Sequence, residues 1–516
     1  MKKLTIKILV LVVIFSSIAT SCDDGFEEVN TNPNDPESVS AALLLPTVIR
    51  NSTYEVASLA WGYGNVVMQY SAKIQFTNED RYNWGPQGDP YGTFYNGLRD
   101  IKNIIEIAEE SEHDNYKGVA LVMKSWMFHI MTDAYGQLPY TEATLAKDQV
   151  NLPAFDSQET IYTGIIADLT LANELLDPAK TSISGDILFN GDIMKWKKFA
   201  NSLLLRIHMR LSDRVNPASA MQAILNNPSN FPVMESNEDN AAVQYLSDLP
   251  NQQPLYTTRS GSFDEYRLSE NMEGILKSLN DNRLYAYAQP TTDSDASLVG
   301  AYDDYQGVPN GLADEEALQY SPSGDPEKGG SNFISRLGLM FSCSACNSLA
   351  SPIAAQTVLM SYSELQFILA EARERNFINS GSAEEYYMEG INSSFNYYAD
   401  RLNVGGYSEI VDVISPEASY FTQEEVAYTG TQEELLSKIG TQKWIALFFN
   451  GMEAWFDWRR TGYPTITPGP AAVQSTVPVR FMYPTDVQAL NADNYKSAIQ
   501  SQGPDNLTTK VWWDVD

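Results

Sequence analysis

The 516-residue chain sets 34 Lys and Arg against 66 Asp and Glu, a formal charge of −32. So negative a field argues against nucleic acid, whose phosphates are held by clustered Lys and Arg, and no polybasic segment offers itself to an anionic lipid surface. A hydrophobic fraction of 43% can fill a sizeable core, while 29 Tyr, 20 Phe and 9 Trp exceed what one core is expected to need and predict aromatic rings lining a surface or cleft.

In chain order, Lys2, Lys3 and Lys7 precede an apolar run from Ile8 to Phe15, and the small residues Ala19, Thr20 and Ser21 stand just before Cys22. The run is far shorter than the roughly 20 apolar residues that cross a bilayer, so residues 1–21 read as a secretory leader that is cleaved. Small residues followed by Cys22 resemble a bacterial lipobox, with Ala19 where leucine is usual, and this predicts acylation of Cys22 as an anchor. Asp23, Asp24, Glu27 and Glu28 look like the export signal of surface lipoproteins in the Bacteroidetes, and Asn30 to Pro36 has the composition of a solvated tether; residues 22–40 form this segment.

Helical periodicity then dominates. Helices are expected near 40–60, 94–110, 157–176 and 383–402, and Val119 to Met131 reads as a buried helix stopped at Gly136, with His129 as a satisfied core histidine. Between Asp192 and Leu211 the apolar residues recur every three or four positions, and Lys195, Lys198, Arg206 and Arg210 read as an outer basic stripe paired with carboxylates. Ser361 with Glu364 and Thr431 with Glu434 have capping-box spacing, and Gly451 is expected to close the second of those helices. From 227 to 355 the periodicity gives way to loops and short strands such as Ala241 to Leu246, an irregular insertion of the kind that carries function.

The chemistry that the motifs permit is binding rather than catalysis. No G-x-S-x-G, H-E-x-x-H or phosphate-binding loop occurs, and Gly62-Tyr-Gly64 lacks a third glycine. Among so many acids a glycosidase-like carboxylate pair is unavoidable and therefore uninformative. Cys343 and Cys346 form a CSAC unit that outside the cytoplasm reads as a local disulfide or two idle thiols. Asp293, Asp295, Asp303 and Asp304 could offer oxygens to a structural calcium ion, though their spacing is not that of an EF-hand; no other cofactor is expected. Two loops mix flat rings with hydrogen-bonding groups as a sugar site requires. The first holds Arg81, Tyr82, Asn83, Trp84 and Tyr91; the second holds Tyr302, Tyr305 and Asn310.

Asn32-Pro-Asn-Asp-Pro36, Thr132-Asp-Ala-Tyr-Gly-Gln-Leu-Pro-Tyr140, Trp196 with Phe199-Ala-Asn-Ser-Leu203, Gly307-Val-Pro-Asn-Gly311, Gly451-Met-Glu-Ala-Trp455 through Arg459-Arg-Thr-Gly-Tyr-Pro464, and Met482-Tyr-Pro484 follow one another in an order that resembles the SusD/RagB-like outer-membrane lipoproteins. The resemblance implies a mainly α fold, in which a tetratricopeptide-like body of helical hairpins (about 41–226 and 356–460) carries a loop-rich insertion with short strands (about 227–355) as its ligand face, all within one domain over 41–516. It implies a lid on a SusC-like TonB-dependent outer-membrane barrel, outside the cell, delivering oligosaccharides. It also places a tryptophan of the glycan platform near Trp84. Trp455, Trp458, Arg459 and Arg460 read as structural, because buried Arg with neighbouring acids can tie the carboxyl end to the core. An oligopeptide-binding lid of the same architecture is the alternative, a surface glycoside hydrolase a more distant one, and a lid valued for its contact surface a third.

Overall fold

The computed structural model of the chain describes residues 39–291, 298–321, 324–325 and 334–515. The leader, Cys22, the Asn32–Pro36 motif and two of the four candidate calcium acids, Asp293 and Asp295, lie outside the described residues.

Helix α1 (Ala41–Leu59) runs into one turn of π-helix, Ala60–Gly64, and then strand β1 (Ser71–Lys73). Helices α2 (Asp89–Glu110), α3 (Asp114–Tyr135), α4 (Gln158–Leu175) and α5 (Ile193–Arg210) follow. Only residues 111–113 separate α2 from α3, so the chain must reverse there, and each helix from α1 to α5 packs on its successor. Local chemistry sets the ends: Ser157 and Asp192 accept from backbone N–H groups in the first turns of α4 and α5, and Gly136 ends α3 at φ +87°.

The irregular middle contains β2 (Ala241–Gln244), β3 (Tyr266–Leu268) and α6 (Glu270–Ser278), and ends in β4 (Gln356–Met360). Antiparallel pairing of β1 with β3 clips this region to the helical body, and pairing of β2 with β4 ties its beginning to its end. Cys343 and Cys346 are joined as a disulfide. A second helical group, α7 (Tyr362–Glu374), α8 (Ala383–Gly405), α9 (Gln432–Ala446) and α10 (Gly451–Thr461), completes the body, and α11 (Ala492–Gln502) closes the chain. Residues 41–516 form one compact unit. No helix among the described residues is long and apolar enough to cross a membrane.

Two details depart from the sequence reading. Gly451 begins α10 instead of closing α9; the chain turns at Phe449 (φ +63°), and Gly451 is glycine because the backbone at Gly64 and Asn65 passes so close that a Cβ would lie 2.4 Å from it. The expected outer basic stripe on α5 is only half outer. Lys198 reaches Glu235 and Asp239 at 2.5 and 2.9 Å, but Arg206 and Arg210 are buried.

What receives them is a network of charge inside the helical body. Arg206 grips Glu364 of α7 with two bonds of 2.6 Å, and Glu364 therefore turns away from the cap that Ser361 makes on its N–H. Thr431 and Glu434, by contrast, form a complete capping box on α9. Arg210 pairs with Glu453 of α10 and lies 3.2 Å from Asp133 of α3. Arg460 holds Glu371 with two bonds of 2.6 Å and Asp457 at 3.1 Å, and Lys443 meets Asp457 at 3.0 Å. Burial by itself would raise the Asp457 carboxyl, but Lys443, Arg460 and Arg210 together hold it far below the usual carboxylate range.

The carboxyl-terminal segment is latched to α3 through the same cluster. Arg459 donates to the Asp133 carbonyl at 2.8 Å, Phe481 N–H to Ala134 O at 2.7 Å, Trp455 Nε1 to Pro478 O at 2.7 Å, and Trp513 Nε1 to the Asp133 carboxylate at 2.6 Å. The structural role expected of Trp455 and Arg459 is the one they take here. His129 sits buried beside Asp133 and accepts or donates at the Tyr162 hydroxyl, with burial lowering its pKa to about 3.

His208 on α5 has its pKa lowered by burial alone to about 4. An unfolded histidine takes up its proton below about pH 6.5 while the folded one does not, so His208 removes stability as pH falls from about 6.5 to about 4, at about 1.4 kcal/mol per pH unit. Urea unfolding of wild type and His208→Gln across that range is expected to show the smaller loss on acidification in the variant.

Candidate functional site

The first aromatic loop is turned inward. Trp84 is only 6% exposed, its indole N–H donates to Glu79 O at 2.8 Å, and Tyr63, Tyr82, Trp455 and Phe481 surround its ring edge-to-face within 6.2 Å. Tyr82 is equally buried, at a left-handed φ of +58°. Tyr91 packs on Tyr95 and Tyr135, Arg81 donates to Ala471 O at 2.9 Å, and exposed Asn83 bonds Asn78. A stacking platform at Trp84 or Tyr82 is therefore corrected to a packing role, because no face of either ring is open. The surplus of aromatic residues is answered mainly in the same way, by a core unusually rich in rings.

The second loop divides. Tyr305 is fully buried, and Asn310 is a buried clasp: its amide donates to Ser71 O at 2.9 Å and to Asp80 at 2.7 Å, and Ser269 donates to its oxygen at 2.6 Å. Burial raises the Asp80 carboxyl to about 6. Tyr302 alone of this loop presents a half-buried ring to an open cleft, of about 740 Å³. Asp303 and Asp304 lie nearby, Asp304 bonding Ala301 N–H, and no group of metal-binding side chains forms among the described residues.

That cleft is the candidate site. Tyr302 and Tyr285 tilt against one another with centroids 5.6 Å apart, and burial raises both phenols, which stay neutral and able to donate. The Tyr302 hydroxyl donates to Asn282 at 2.7 Å, and the Asn282 amide donates to Val413 O and Ser415 O at 2.9 and 2.8 Å. This bridge fixes the opposite wall, residues 412–423, which connects α8 to α9 and supplies Ser415, Ser419 and Gln423. Beneath it Arg283 pairs with Asp281 at 2.6 Å and donates to Gln442 of α9 at 2.7 Å, while Tyr420 donates to Asp281 at 2.7 Å. The floor is thus a buried, bonded network that fixes the cleft walls. Sequence reasoning missed Tyr285, Asn280, Asn282 and the whole 412–423 wall. The run Asn280-Asp-Asn-Arg-Leu-Tyr285, with amides set beside a ring, was the available signal.

Other spaces fit a ligand less well. The groove between α1 and α2, about 540 Å³, has one ring, Tyr54, already covered by the Arg50 guanidinium at 4.5 Å. A polar cleft of about 500 Å³ beside α6 has no aromatic ring among the described residues that line it. A narrow pocket of about 30 Å³ near Phe449 has room for water only. The chosen cleft joins rings, amides and hydroxyls at a volume typical of ligand sites.

Comparison with known proteins agrees with a binding role. The family described as starch-binding and associating with the outer membrane matches residues 33–484. A SusD homologue from Bacteroides fragilis superposes with a TM-score of 0.76 at 26% identity, over 92% of this chain and 99% of its own. A chitin-binding protein gives 0.74 at 27% over 92% and 100%, and a chitin-binding SusD homologue from Flavobacterium johnsoniae gives 0.70 at 25% over 92% and 99%. The sequence has no match among curated proteins.

Because Trp84 is a packing residue, Trp84→Ala is expected to lower the unfolding free energy by about 3–5 kcal/mol, the cost of a large cavity in a tight core. Denaturant titration reads the loss; an unchanged midpoint would return the ring to the surface.

Proposed function

The chain belongs to the SusD-like family of starch-binding proteins that associate with the outer membrane, and from that premise we propose that it is a surface lipoprotein that holds an oligosaccharide in the Tyr285–Tyr302 cleft and hands it, chemically unchanged, to a SusC-like TonB-dependent barrel. The observation that supports this most is the pairing of two half-buried tyrosine rings with Asn280 and the hydroxyls of Ser415 and Ser419 in one preorganised cleft. Apolar C–H faces of a sugar stack on such rings, and its hydroxyls exchange bonds with amides and phenols. Chitin-binding relatives favour a glycan over a peptide as cargo. An acylated Cys22 would keep the receptor beside its pore, each buried methylene adding about 0.8 kcal/mol to membrane affinity.

Calorimetry against a panel of oligosaccharides and short peptides tests the reading. One glycan class is expected to bind, Tyr285→Ala and Tyr302→Ala each to weaken it by about 5- to 30-fold, the factor for one to two kcal/mol, and the recovered sugar to be of its original length. Peptide-only binding, or shortened products, would replace this function with one of its rivals. Metabolic labelling with a fatty acid should mark the wild-type protein in cells and leave Cys22→Ser unlabelled.

A further inference from the structure

Asn280, which lines the stacking cleft, follows the end of helix α6 by two positions. Helix α6 leads directly into that cleft, and the residues Glu270, Asn271, Gly274, Ile275 and Ser278 form one stripe of the helix along the polar cleft of about 500 Å³. Their spacing is that of a single helical face, so the stripe extends about 12 Å from Glu270 to Ser278. Exposed Ser278 lines the polar cleft and exposed Asn280 the stacking cleft, with Leu279 between them in the chain. On the far side of the trough stand Pro309, Asn310 and the exposed Thr465 and Thr467. In the middle is Gly274, where a Cβ would meet nothing within 4 Å, so the path along the helix is open.

We propose that the two clefts are one extended site for an uncharged oligosaccharide, with a stacking end at Tyr285 and Tyr302 and a hydrogen-bonding end between α6 and Thr465–Thr467. This deepens the proposed function and rests on it. The chemistry of the two ends differs. The first has rings and captures a sugar face; the second has hydroxyls and amides but no ring, and adds affinity only to a chain long enough to reach it. Charge sets the class of glycan: among the described residues, the ionisable side chains lining the two clefts, apart from the tyrosine phenols, are the carboxylates Glu270, Asp412 and Glu417, with no Lys or Arg. Carboxylated or sulfated chains would be repelled along the whole path.

The experiment measures dissociation constants for dimers through hexamers of chito- and malto-oligosaccharides, with oligogalacturonides as the charged series, on wild type, Gly274→Leu and Thr465→Ala/Thr467→Ala. Gly274→Leu fills the open trough on an exposed helical face and leaves the stacking rings alone. In the series that binds, the hexamer is expected to bind about tenfold tighter than the dimer. Gly274→Leu should bring the hexamer to the dimer's affinity without changing the dimer, the threonine variant should reduce the same difference, and oligogalacturonides should bind at least about tenfold more weakly. Affinity independent of length, a hexamer indifferent to Gly274→Leu, or equal binding of the charged series overturns the extended site and leaves the tyrosine cleft standing. Absence of binding by every glycan overturns both.

Discussion

The fold depends on charge balanced out of reach of water. Arg206, Arg210, Lys443, Arg459 and Arg460 lie buried among Asp133, Glu364, Glu371, Glu453 and Asp457, and these residues come from α3, α5, α7, α9 and α10. Such a cluster admits one arrangement of the helices, because two-pronged arginine–carboxylate bonds require both distance and orientation. Removing one member of a buried pair typically costs about 3–5 kcal/mol, against about 5–15 kcal/mol for the stability of a whole domain. The two helical groups, widely separated in sequence, are locked together at this point.

The cleft borrows its rigidity from the same helices. On α9 the neighbours Gln442 and Lys443 face about 100° apart around the helix axis, one toward the Arg283–Asp281–Tyr420 floor of the cleft and the other toward Asp457 in the charged core. The position of the cleft wall is thereby referred to the deepest part of the body. A receptor whose rings are fixed before binding loses little freedom on capture, which suits a shallow site made of a few contacts.

Much of the body was legible from local pattern. Periodicity located α1, α4, α5 and α8 closely, and capping-box spacing marked the starts of α7 and α9, because apolar spacing and a capping Ser or Thr are properties of neighbouring residues. The failures share one cause, partners remote in the chain. Arg206 looks like a surface residue until Glu364 is known to lie opposite it, and Gly451 looks like a helix stop until the backbone at Gly64 is seen against it. Trp84 beside Asn83 and Arg81 has the composition of a sugar platform, yet the rings of Trp455 and Phe481, remote in the chain, enclose it. The cleft brings together residues 280–285, 302 and 412–423, and no single window of sequence contains it. The motif resemblance located the family but not the rings that this chain leaves open.

The latch between Trp513 and Asp133 carries an implication for biogenesis. A polypeptide that emerges from a ribosome or a secretion channel amino end first exposes α3 long before its last residues appear. Until then Asp133 lacks its indole partner, and Ala134 lacks the strap that crosses it at Phe481. Closing so large a loop comes late and slowly in folding. The nascent amino-terminal half must therefore wait, unfinished, for the tail to arrive.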